Sequence, residues 1–488
     1  MNHLPTFDLI VIGGGPAGVT AALRGRELGA SVALIERGSM GGTCTNDGCV
    51  PTRVLARAAR LMSNAGQYSA YGMTVPRPEL DFPQLLARTQ AIVYDIHEKK
   101  QLIAHLESSG AQVFAGVGEA QFVDPHTVEI PDGRRFHGEK FILAAGGRAR
   151  RLDFSGAELA LTHSDIWRLQ SLPRSVAIVG GAATGCQLAT IFNAFGAQVT
   201  MLDIAPRILT VEDSLVAQTM TAAFQRRGVD LRTGISGIER IERAGRDLAL
   251  VFKQGDELAT LEAEAVVMST GWLGNLSGLN LAAAGVETDG RYVVSDQTGQ
   301  TSAAHIYAAG DIDGRMMLVQ SASHEARIVV ENALLGGTDR HEYAIVPHGG
   351  FTHPEYASVG LTEEQARRDR DVVVAVVPYA DMDRAVIDGR TEGFCKLVVD
   401  GETHRMLGAH VVGEQALEIV HVVAAGMAAG MWVEQLAELQ IAYPTFTAIL
   451  GLAARRIVAE LGVMPLTPEW RTLGRAPGEW EQSQIQTE

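Results

Sequence analysis

The sequence predicts an α/β protein, and three observations lead to this prediction. Two glycine-rich turns, at residues 13–18 and 180–185, each follow a β-branched strand and precede a helical segment. From about residue 346, strands and amphipathic helices alternate without such turns. Strand–turn–helix units of the first kind are typical of parallel sheets that bind dinucleotides. We therefore predict two Rossmann-like dinucleotide-binding domains and a C-terminal α+β dimerisation domain, whose helices bury a face against another subunit.

Composition limits the classes of partner and location. A chain of 488 residues is longer than one core normally supports, so several domains are expected. The net charge of -16 disfavours nucleic acid, and no apolar run has the length of a membrane span. The first residues resemble a strand and turn and not a leader, which favours a cytoplasmic location. Only four cysteines are present, as expected in a reducing compartment.

The first glycine-rich unit has the features of a complete dinucleotide-binding turn. A strand at residues 8–12 leads through Gly13, Gly15 and Gly18 into a helix, and the next strand ends at Glu36. The glycines let the backbone approach a pyrophosphate, which then lies at the positive end of the helix. The carboxylate about 20 residues further on is placed to bind a ribose hydroxyl.

A second unit of the same kind begins with the strand at residues 175–179. Gly180 and Gly185 form its turn, and Asp203 ends its second strand. A carboxylate at this position favours the free ribose of NADH and repels a 2′-phosphate. Arg207, four residues further on, leaves NADPH as an alternative.

Two further segments fit with the first unit. Residues 140–147 form a strand that enters a glycine turn at Gly146, and residues 305–311 form another that ends at Asp311. Asp311 is placed to accept a hydrogen bond from a polyol chain. The alternative is that Asp311 is an ordinary turn residue.

Cys44 and Cys49 lie close together in sequence, a few residues after the first unit. Pro51 suits the first turn of a following helix, and thiols near a helix N-terminus have a lowered pKa. Asp47, between them, adds negative charge that opposes thiolate formation. We favour a redox-active thiol pair over a metal half-site or two structural cysteines, because no further metal ligands are evident.

Together these motifs resemble the flavoprotein disulfide reductases, a family that includes glutathione reductase, dihydrolipoamide dehydrogenase and mercuric reductase. The resemblance covers nearly the whole chain and includes the segments 41–51, 310–311 and 351–363. It implies FAD in the first domain, a pyridine nucleotide in the second, and a homodimer whose active site uses both subunits. It also implies that Cys49 contacts the flavin and that Cys44 exchanges with the substrate.

The same resemblance implies the remaining cofactor contacts. Arg53 stands where the family has a lysine near the flavin, and Gln187 stands where it has an acidic residue. The implied FAD contacts are Gly13, Gly15, Gly18, Glu36, Gly42, Thr43, Arg53, Gly146 and Asp311, and the implied NAD(P) contacts are Gly180, Gly185, Gln187 and Asp203.

The sequence departs from the disulfide-using members near its end. Tyr443 stands where a histidine protonates the leaving thiol, and Ala448 stands where a carboxylate orients that histidine. A phenol with its usual pKa of about 10 is a poor proton shuttle at neutral pH. Mercuric reductase is similar in having a tyrosine here, although its C-terminal cysteine pair has no counterpart in this sequence. Tyr443 is therefore a candidate catalytic residue, with a packed interface aromatic as the alternative.

These features predict a domain order and a function. The predicted order is an FAD domain with the thiol pair (1–150), an NAD(P) domain (151–275), a return to the FAD domain (276–345), a dimerisation domain (346–465) and a tail (466–488). Electrons are expected to pass from NAD(P)H through FAD and the Cys44–Cys49 pair to a metal ion such as mercury(II), a quinone or an unusual small disulfide. The alternatives are a dihydrolipoamide dehydrogenase of an acyl-transfer complex and a flavin-bound redox sensor or complex subunit.

Overall fold

A computed structural model describes residues 4–76 and 78–463. The chain divides into two compact units. The first contains the described residues up to Thr210, with Thr221–Ala344 and Gly350–His353, and the second contains Val211–Met220, Ile345–Gly349 and the described residues from Pro354 onward. The finer division into FAD and NAD(P) domains stays a prediction, and the predicted tail at 466–488 lies outside the described residues.

The strands of the described chain form five sheets. In chain order they are β1 (Thr6–Ile12), β2 (Val32–Glu36), β3 (Gln112–Ala115), β4 (Gln121–Asp124), β5 (Thr127–Glu129), β6 (Arg135–Leu143), β7 (Gly147–Ala149), β8 (Ser175–Val179), β9 (Gln198–Asp203), β10 (Asp230–Thr233), β11 (Gly237–Ala244), β12 (Asp247–Gln254), β13 (Glu257–Ala263), β14 (Ala265–Met268), β15 (Trp272–Gly274), β16 (Ile306–Ala308), β17 (His348–Gly350), β18 (Tyr356–Gly360), β19 (Val372–Pro378), β20 (Phe394–Asp400) and β21 (Met406–Val412).

Helices pack against the sheets. In chain order they are α1 (Pro16–Glu27), α2 (Gly42–Asn46), α3 (Cys49–Asn64), α4 (Phe82–Lys100), α5 (Leu102–Ser108), α6 (Ala183–Ala194), α7 (Ser214–Arg226), α8 (Val319–Leu335), α9 (Glu363–Ala366), α10 (Asp383–Ile387), α11 (Ala416–Ala428), α12 (Val433–Glu438) and α13 (Ile449–Leu461). In the described part of the chain, no helix is both long enough and apolar enough to cross a membrane.

The first unit contains the two sheets that the glycine turns predict. The smaller sheet is wholly parallel, whereas the larger one is mixed, because β5 pairs antiparallel to β6 and β4 pairs antiparallel to β5. One sheet has the order β3-β2-β1-β6-β5-β4, with β16 paired in parallel to β6, and the other has the order β10-β9-β8-β14. Strands β1 and β8 are central in their sheets, and each ends where a glycine turn enters a helix. Parallel strands place their carboxyl-end loops on the same edge, where ligands bind in such folds. The predicted α/β fold is confirmed.

The second unit is built on an antiparallel sheet. Its order is β17-β18-β21-β20-β19, and helices α11, α12 and α13 pack their apolar residues with this sheet into one hydrophobic core. The alternating pattern after residue 346 predicts this α+β arrangement correctly.

A cluster of buried charges lies inside the second unit. The ammonium of Lys396 is 2.9 Å from the carboxylate of Asp213 and 2.6 Å from that of Glu363. Lys396 and Asp213 are both almost fully buried. Burial raises the pKa of Asp213, but the hydrogen bonds from Lys396 and the Leu215 N–H, together with the charges of His410 and Lys396, lower it overall. A buried charge of this kind is tolerated only while its partner is present.

Replacing Lys396 with methionine is expected to lower the free energy of unfolding by about 3–5 kcal/mol, because the Asp213 carboxylate loses its buried partner. Urea unfolding of the purified protein measures this change. The matched control is Arg368→Met, which removes an exposed ion pair to Glu364 and should cost less than about 1 kcal/mol. Equal losses in the two variants would contradict the assigned role of the buried pair.

Candidate redox site

The first glycine turn leaves no room for side chains at two positions. A Cβ on Gly18 would lie 1.8 Å from the carbonyl oxygen of Gly13, and Gly13 has a φ of +115°. Gly15 is the N-cap of α1, whose first residue is Pro16. The backbone is therefore exposed at the positive end of α1, as phosphate binding requires.

Glu36 closes this turn from the end of β2. Its carboxylate accepts the backbone N–H of Gly14 at 2.6 Å and that of Gly38 at 2.7 Å. Glu36 also lines a cavity together with Gly13 of the first turn and Ala145, which precedes Gly146. The cavity is lined by Ile12, Gly13, Ile35, Glu36, Arg37, Gly118, Glu119, Ala120, Ala145, Asn275, Ser277 and Leu279.

The short helix α2 is attached directly to the first turn. The N–H of Gly41 donates to the carbonyl of Gly14 at 2.8 Å, and Gly42 has a φ of +61°. A Cβ on Gly42 would lie 2.8 Å from the Cα of Gly15. The carbonyl of Thr43 accepts the N–H of Gly48 at 2.7 Å, which closes the chain between the cysteines into a ring.

The two sulfurs of the predicted pair are brought together. Cys44 is half-buried within α2, and Cys49 is exposed at the first position of α3. Their mutual hydrogen bond and the nearby Lys100 ammonium lower the pKa of Cys44 to about 7, against the opposing effects of burial and Asp311. A thiol of this pKa is substantially ionised at neutral pH.

The pKa of Cys49 is shifted in the opposite direction from the one that its position at a helix N-terminus predicts. Its pKa is raised, first by the hydrogen bond to Cys44 and then by burial and by the charge of Cys44. Two thiolates this close repel each other, so the pair holds one negative charge and the second proton stays bound. The pKa of Cys44 is lowered, as predicted, but by Cys49 and Lys100 instead of the helix N-terminus, and the prediction of a lowered pKa is wrong for Cys49.

Asp47 lies in the ring but is engaged elsewhere. Its carboxylate accepts a hydrogen bond from Ser164 at 2.6 Å, and its carbonyl accepts one from the indole of Trp167 at 2.9 Å. The charges that shift the pKa of Cys44 belong to Lys100 and Asp311. Asp47 thus anchors the ring to the segment 163–168.

The turn at Gly146 and Gly147 lies next to Asp311 at the edge of the first sheet, and Gly147 makes the contact. Gly146 has a φ of +69° and open space beside its Cα, and a Cβ on Gly147 would lie 3.0 Å from the Cβ of Asp311. Burial and the neighbouring Asp313 raise the pKa of Asp311 to about 6. A partly buried carboxyl with a raised pKa is suited to hydrogen bonding with a polyol chain.

The second turn repeats the geometry of the first. A Cβ on Gly185 would lie 1.9 Å from the carbonyl oxygen of Gly180, whose φ is +109°. Asp203 accepts the N–H of Gly181 at 2.6 Å and that of Ala205 at 2.7 Å. The guanidinium of Arg207 donates to the carbonyl of Thr210 at 3.1 Å.

Arg53 and Gln187 both contact Phe351, which the sequence interpretation did not single out. The Arg53 guanidinium lies over the Phe351 ring, 4.4 Å from its centroid. The side-chain oxygen of Gln187 accepts the backbone N–H of Phe351 at 3.2 Å. Arg53 and Phe351 lie far apart in sequence, so no local sequence pattern predicts their contact.

Tyr443 lies in the second unit and is exposed. Its hydroxyl donates a hydrogen bond to the carboxylate of Asp383, and this contact raises the pKa of the phenol. A phenol with a raised pKa keeps its proton throughout the physiological range. The catalytic role of Tyr443 stays a prediction.

Comparison with known proteins identifies the family. Residues 7–326 match the pyridine nucleotide-disulphide oxidoreductase family, and residues 346–454 match its dimerisation domain. The chain belongs to the pyridine nucleotide-disulphide oxidoreductases. It is an oxidoreductase of the flavoprotein disulfide reductase type, whose members use FAD and NAD(P)H. The predicted C-terminal dimerisation domain is thereby confirmed.

Several relatives span nearly the whole chain. Mercuric reductase of Lysinibacillus sphaericus is 32% identical over 92% of this chain and 82% of its own length. Dihydrolipoyl dehydrogenase of Chlorobaculum parvum is 32% identical over 92% of this chain and 96% of its own. The copper(II) complex of the HOCl-induced flavoprotein disulfide reductase RclA from Escherichia coli superposes with a TM-score of 0.82 at 27% identity, covering 93% of this chain and 100% of that one.

The first unit fits the FAD that this family uses. The Cβ-free backbone at Gly13 and Gly18, the Glu36 carboxylate in its cavity, and the open space beside Gly146 suit a pyrophosphate and its attached sugars. Bound FAD supplies the chemistry that accepts a hydride and passes two electrons to a disulfide.

Proposed function

We propose that this protein transfers two electrons from NADH, through FAD and the Cys44–Cys49 pair, to a thiophilic metal ion such as mercury(II). Overall, NADH and Hg²⁺ give NAD⁺, H⁺ and elemental mercury. The observation that carries the proposal is Tyr443, because hydrogen bonding to Asp383 raises the pKa of its phenol and makes it a much weaker acid for a leaving thiol than an imidazolium would be. Reduction of a metal ion needs no such proton.

The thiol pair supports the same acceptor class. Cys44 has a pKa of about 7, so it presents a thiolate at neutral pH. Soft cations prefer thiolates to oxygen and nitrogen donors. We assign Cys44 to the exchange with the acceptor and Cys49 to the flavin side.

The chain's own residues perform binding and orientation in this scheme. Gly180 and Gly185 would admit the nicotinamide dinucleotide at the second turn, and Asp203 would bind its adenosine ribose. The close backbone packing at Gly185 and the position of Asp203 beside Gly181 support these roles. The ring closed at Thr43 and Gly48 holds the two sulfurs together, and Asp47 anchors this ring. A homodimer, formed through the C-terminal domain, would bring Tyr443 of the partner subunit to this site.

An acceptor screen tests the proposal. Anaerobic NADH oxidation by the purified holoprotein is measured with mercury(II), copper(II), lipoamide, glutathione disulfide and a quinone. We expect mercury(II) to be reduced at least roughly tenfold faster than lipoamide, because general acid catalysis typically contributes about 10²–10⁴-fold to a step that needs it. Copper(II) is included because RclA forms a copper(II) complex. Faster turnover with lipoamide would contradict the proposal and favour the dihydrolipoamide dehydrogenase alternative.

A gain-of-function variant sharpens this test. The double change Tyr443→His and Ala448→Glu restores a histidine with an orienting carboxylate, and it is expected to increase lipoamide turnover without a matching increase with mercury(II). Tyr443→Phe is the control, and it should leave the mercury(II) rate unchanged. Loss of mercury(II) turnover in Tyr443→Phe would show that the phenol itself takes part.

Nucleotide preference follows from Asp203. Asp203→Ala is expected to lower the ratio of kcat/KM for NADH to kcat/KM for NADPH by roughly tenfold, because the charge that repels a 2′-phosphate is removed. Steady-state kinetics with both nucleotides measures the ratio. An unchanged ratio, or a wild-type preference for NADPH, would contradict the assignment of NADH.

A further inference from the structure

The last turn of α4 lies against the short helix that carries Cys44. The ammonium of Lys100 donates to the hydroxyl of Thr45 at 3.3 Å, and the ring of His97 is 2.7 Å from the side-chain oxygen of Asn46. Thr45 is fully buried. Lys100 therefore reaches a buried hydroxyl in the segment between the two cysteines. Two side chains, one turn apart on α4, therefore contact the two residues that follow Cys44.

The segment between the cysteines is also hydrogen-bonded to the residues that precede α2. The side-chain amide of Asn46 donates to the carbonyl of Met40 at 3.1 Å and to that of Ser39 at 3.3 Å. Asn46 thus joins α4 to the start of α2. The position of Lys100 relative to Cys44 is set by this network and by its own bond to Thr45.

We propose that Lys100 is a positioning residue that holds a positive charge beside Cys44 and thereby stabilises the reduced, singly ionised form of the Cys44–Cys49 pair. Its charge is one of the effects that lower the pKa of Cys44, after the hydrogen bond from Cys49 and against burial and Asp311. The charged groups that act on Cys44 from the elements around it are Cys49, Lys100 and Asp311. Lys100 is the cation among these three, and it offsets the Asp311 carboxylate.

This role has a direct redox consequence. Reduction of the disulfide takes up two electrons and one proton when the pair retains one thiolate, so the reduced form carries a negative charge that the disulfide lacks. A cation nearby favours the charged form. Removal of the Lys100 charge should therefore make the pair harder to reduce at a fixed pH.

Equilibration with dithiothreitol tests the proposal on the holoprotein. The protein is incubated anaerobically at pH 7 in buffers with different ratios of reduced to oxidised dithiothreitol, and free Cys44 and Cys49 are counted by maleimide labelling and mass spectrometry. Lys100→Gln is expected to need a roughly three- to tenfold higher ratio for half-reduction, as one partly solvated charge implies. Lys100→Arg keeps the charge and should restore the wild-type ratio.

Lys99→Gln is the matched control, because it removes the same charge from the neighbouring exposed position of α4. We expect it to leave the ratio unchanged. An unchanged ratio in Lys100→Gln, or an equal change in Lys99→Gln, would overturn the proposal. The measurement uses no metal ion or other acceptor, so its outcome is independent of the acceptor proposed above.

Discussion

Cys44→Ser is expected to lower the NADH-driven reduction of the acceptor by at least about 10³-fold, because a serine hydroxyl cannot replace the thiolate that exchanges electrons with the acceptor. The variant should retain FAD, since the cofactor contacts at Gly13, Gly18 and Glu36 are unchanged. Stopped-flow absorbance separates the two half-reactions. Reduction of the flavin by NADH should persist, and its reoxidation by mercury(II) should be lost.

Cys395→Ala is the control for this variant. Cys395 is fully buried in the second unit, and burial raises the pKa of its thiol to about 12, so it is unsuited to redox exchange. Its replacement is expected to remove packing contacts without affecting electron transfer. Normal acceptor reduction by Cys44→Ser would contradict the assignment of Cys44, and a comparable loss in Cys395→Ala would indicate a general structural effect.

Gly42→Ala is expected to reduce the FAD content of the purified protein to a small fraction of the wild-type value. The added Cβ would lie 2.8 Å from the Cα of Gly15, and the residue has a φ of +61° that disfavours a side chain. To relieve the contact, α2 must move away from the dinucleotide turn. The ratio of flavin to protein absorbance measures the loss, and added FAD should restore it only in part.

Gly66→Ala provides the comparison for this change. Gly66 lies in the same unit, its added Cβ would meet no atom within 4 Å, and its backbone is in an ordinary conformation. Its flavin content should equal that of the wild type. Full flavin content in Gly42→Ala would show that the contact between α2 and the first turn is not needed for cofactor binding.

Sequence patterns were sufficient for the parallel strands of the two sheets that carry the glycine turns. Strand β8 has the predicted bounds 175–179, and β1 ends at residue 12 as predicted, because β-branched runs that end in glycine are strong local signals. Helix α1 begins at Pro16, so Gly18 lies inside the helix, since proline suits the first position of a helix. The antiparallel strands β11, β12 and β13 were not predicted, because β11 and β13 mix charged with apolar residues and no glycine-rich turn into a helix marks them.

The site was predictable only where its chemistry is local in sequence. The motif spacing places Glu36 and Asp203 beside their glycine turns, and each carboxylate accepts a backbone N–H there. Their contacts with a ribose stay predictions. Contacts over long sequence separations gave no signal, as between Lys100 and Thr45 or between Gln187 and Phe351. The opposite pKa shifts of Cys44 and Cys49 likewise depend on the distance between the sulfurs, which the fold sets and the spacing does not.

Thiol mapping after a single addition of NADH tests the central claim, that electrons reach the Cys44–Cys49 pair by way of the flavin. The oxidised holoprotein and the FAD-free protein are each treated anaerobically with NADH, labelled with maleimide and analysed by mass spectrometry. We predict that NADH exposes Cys44 and Cys49 to labelling in the holoprotein alone, while the buried Cys186 and Cys395 stay unlabelled. Labelling that does not change with NADH, or that increases equally without FAD, would contradict the account.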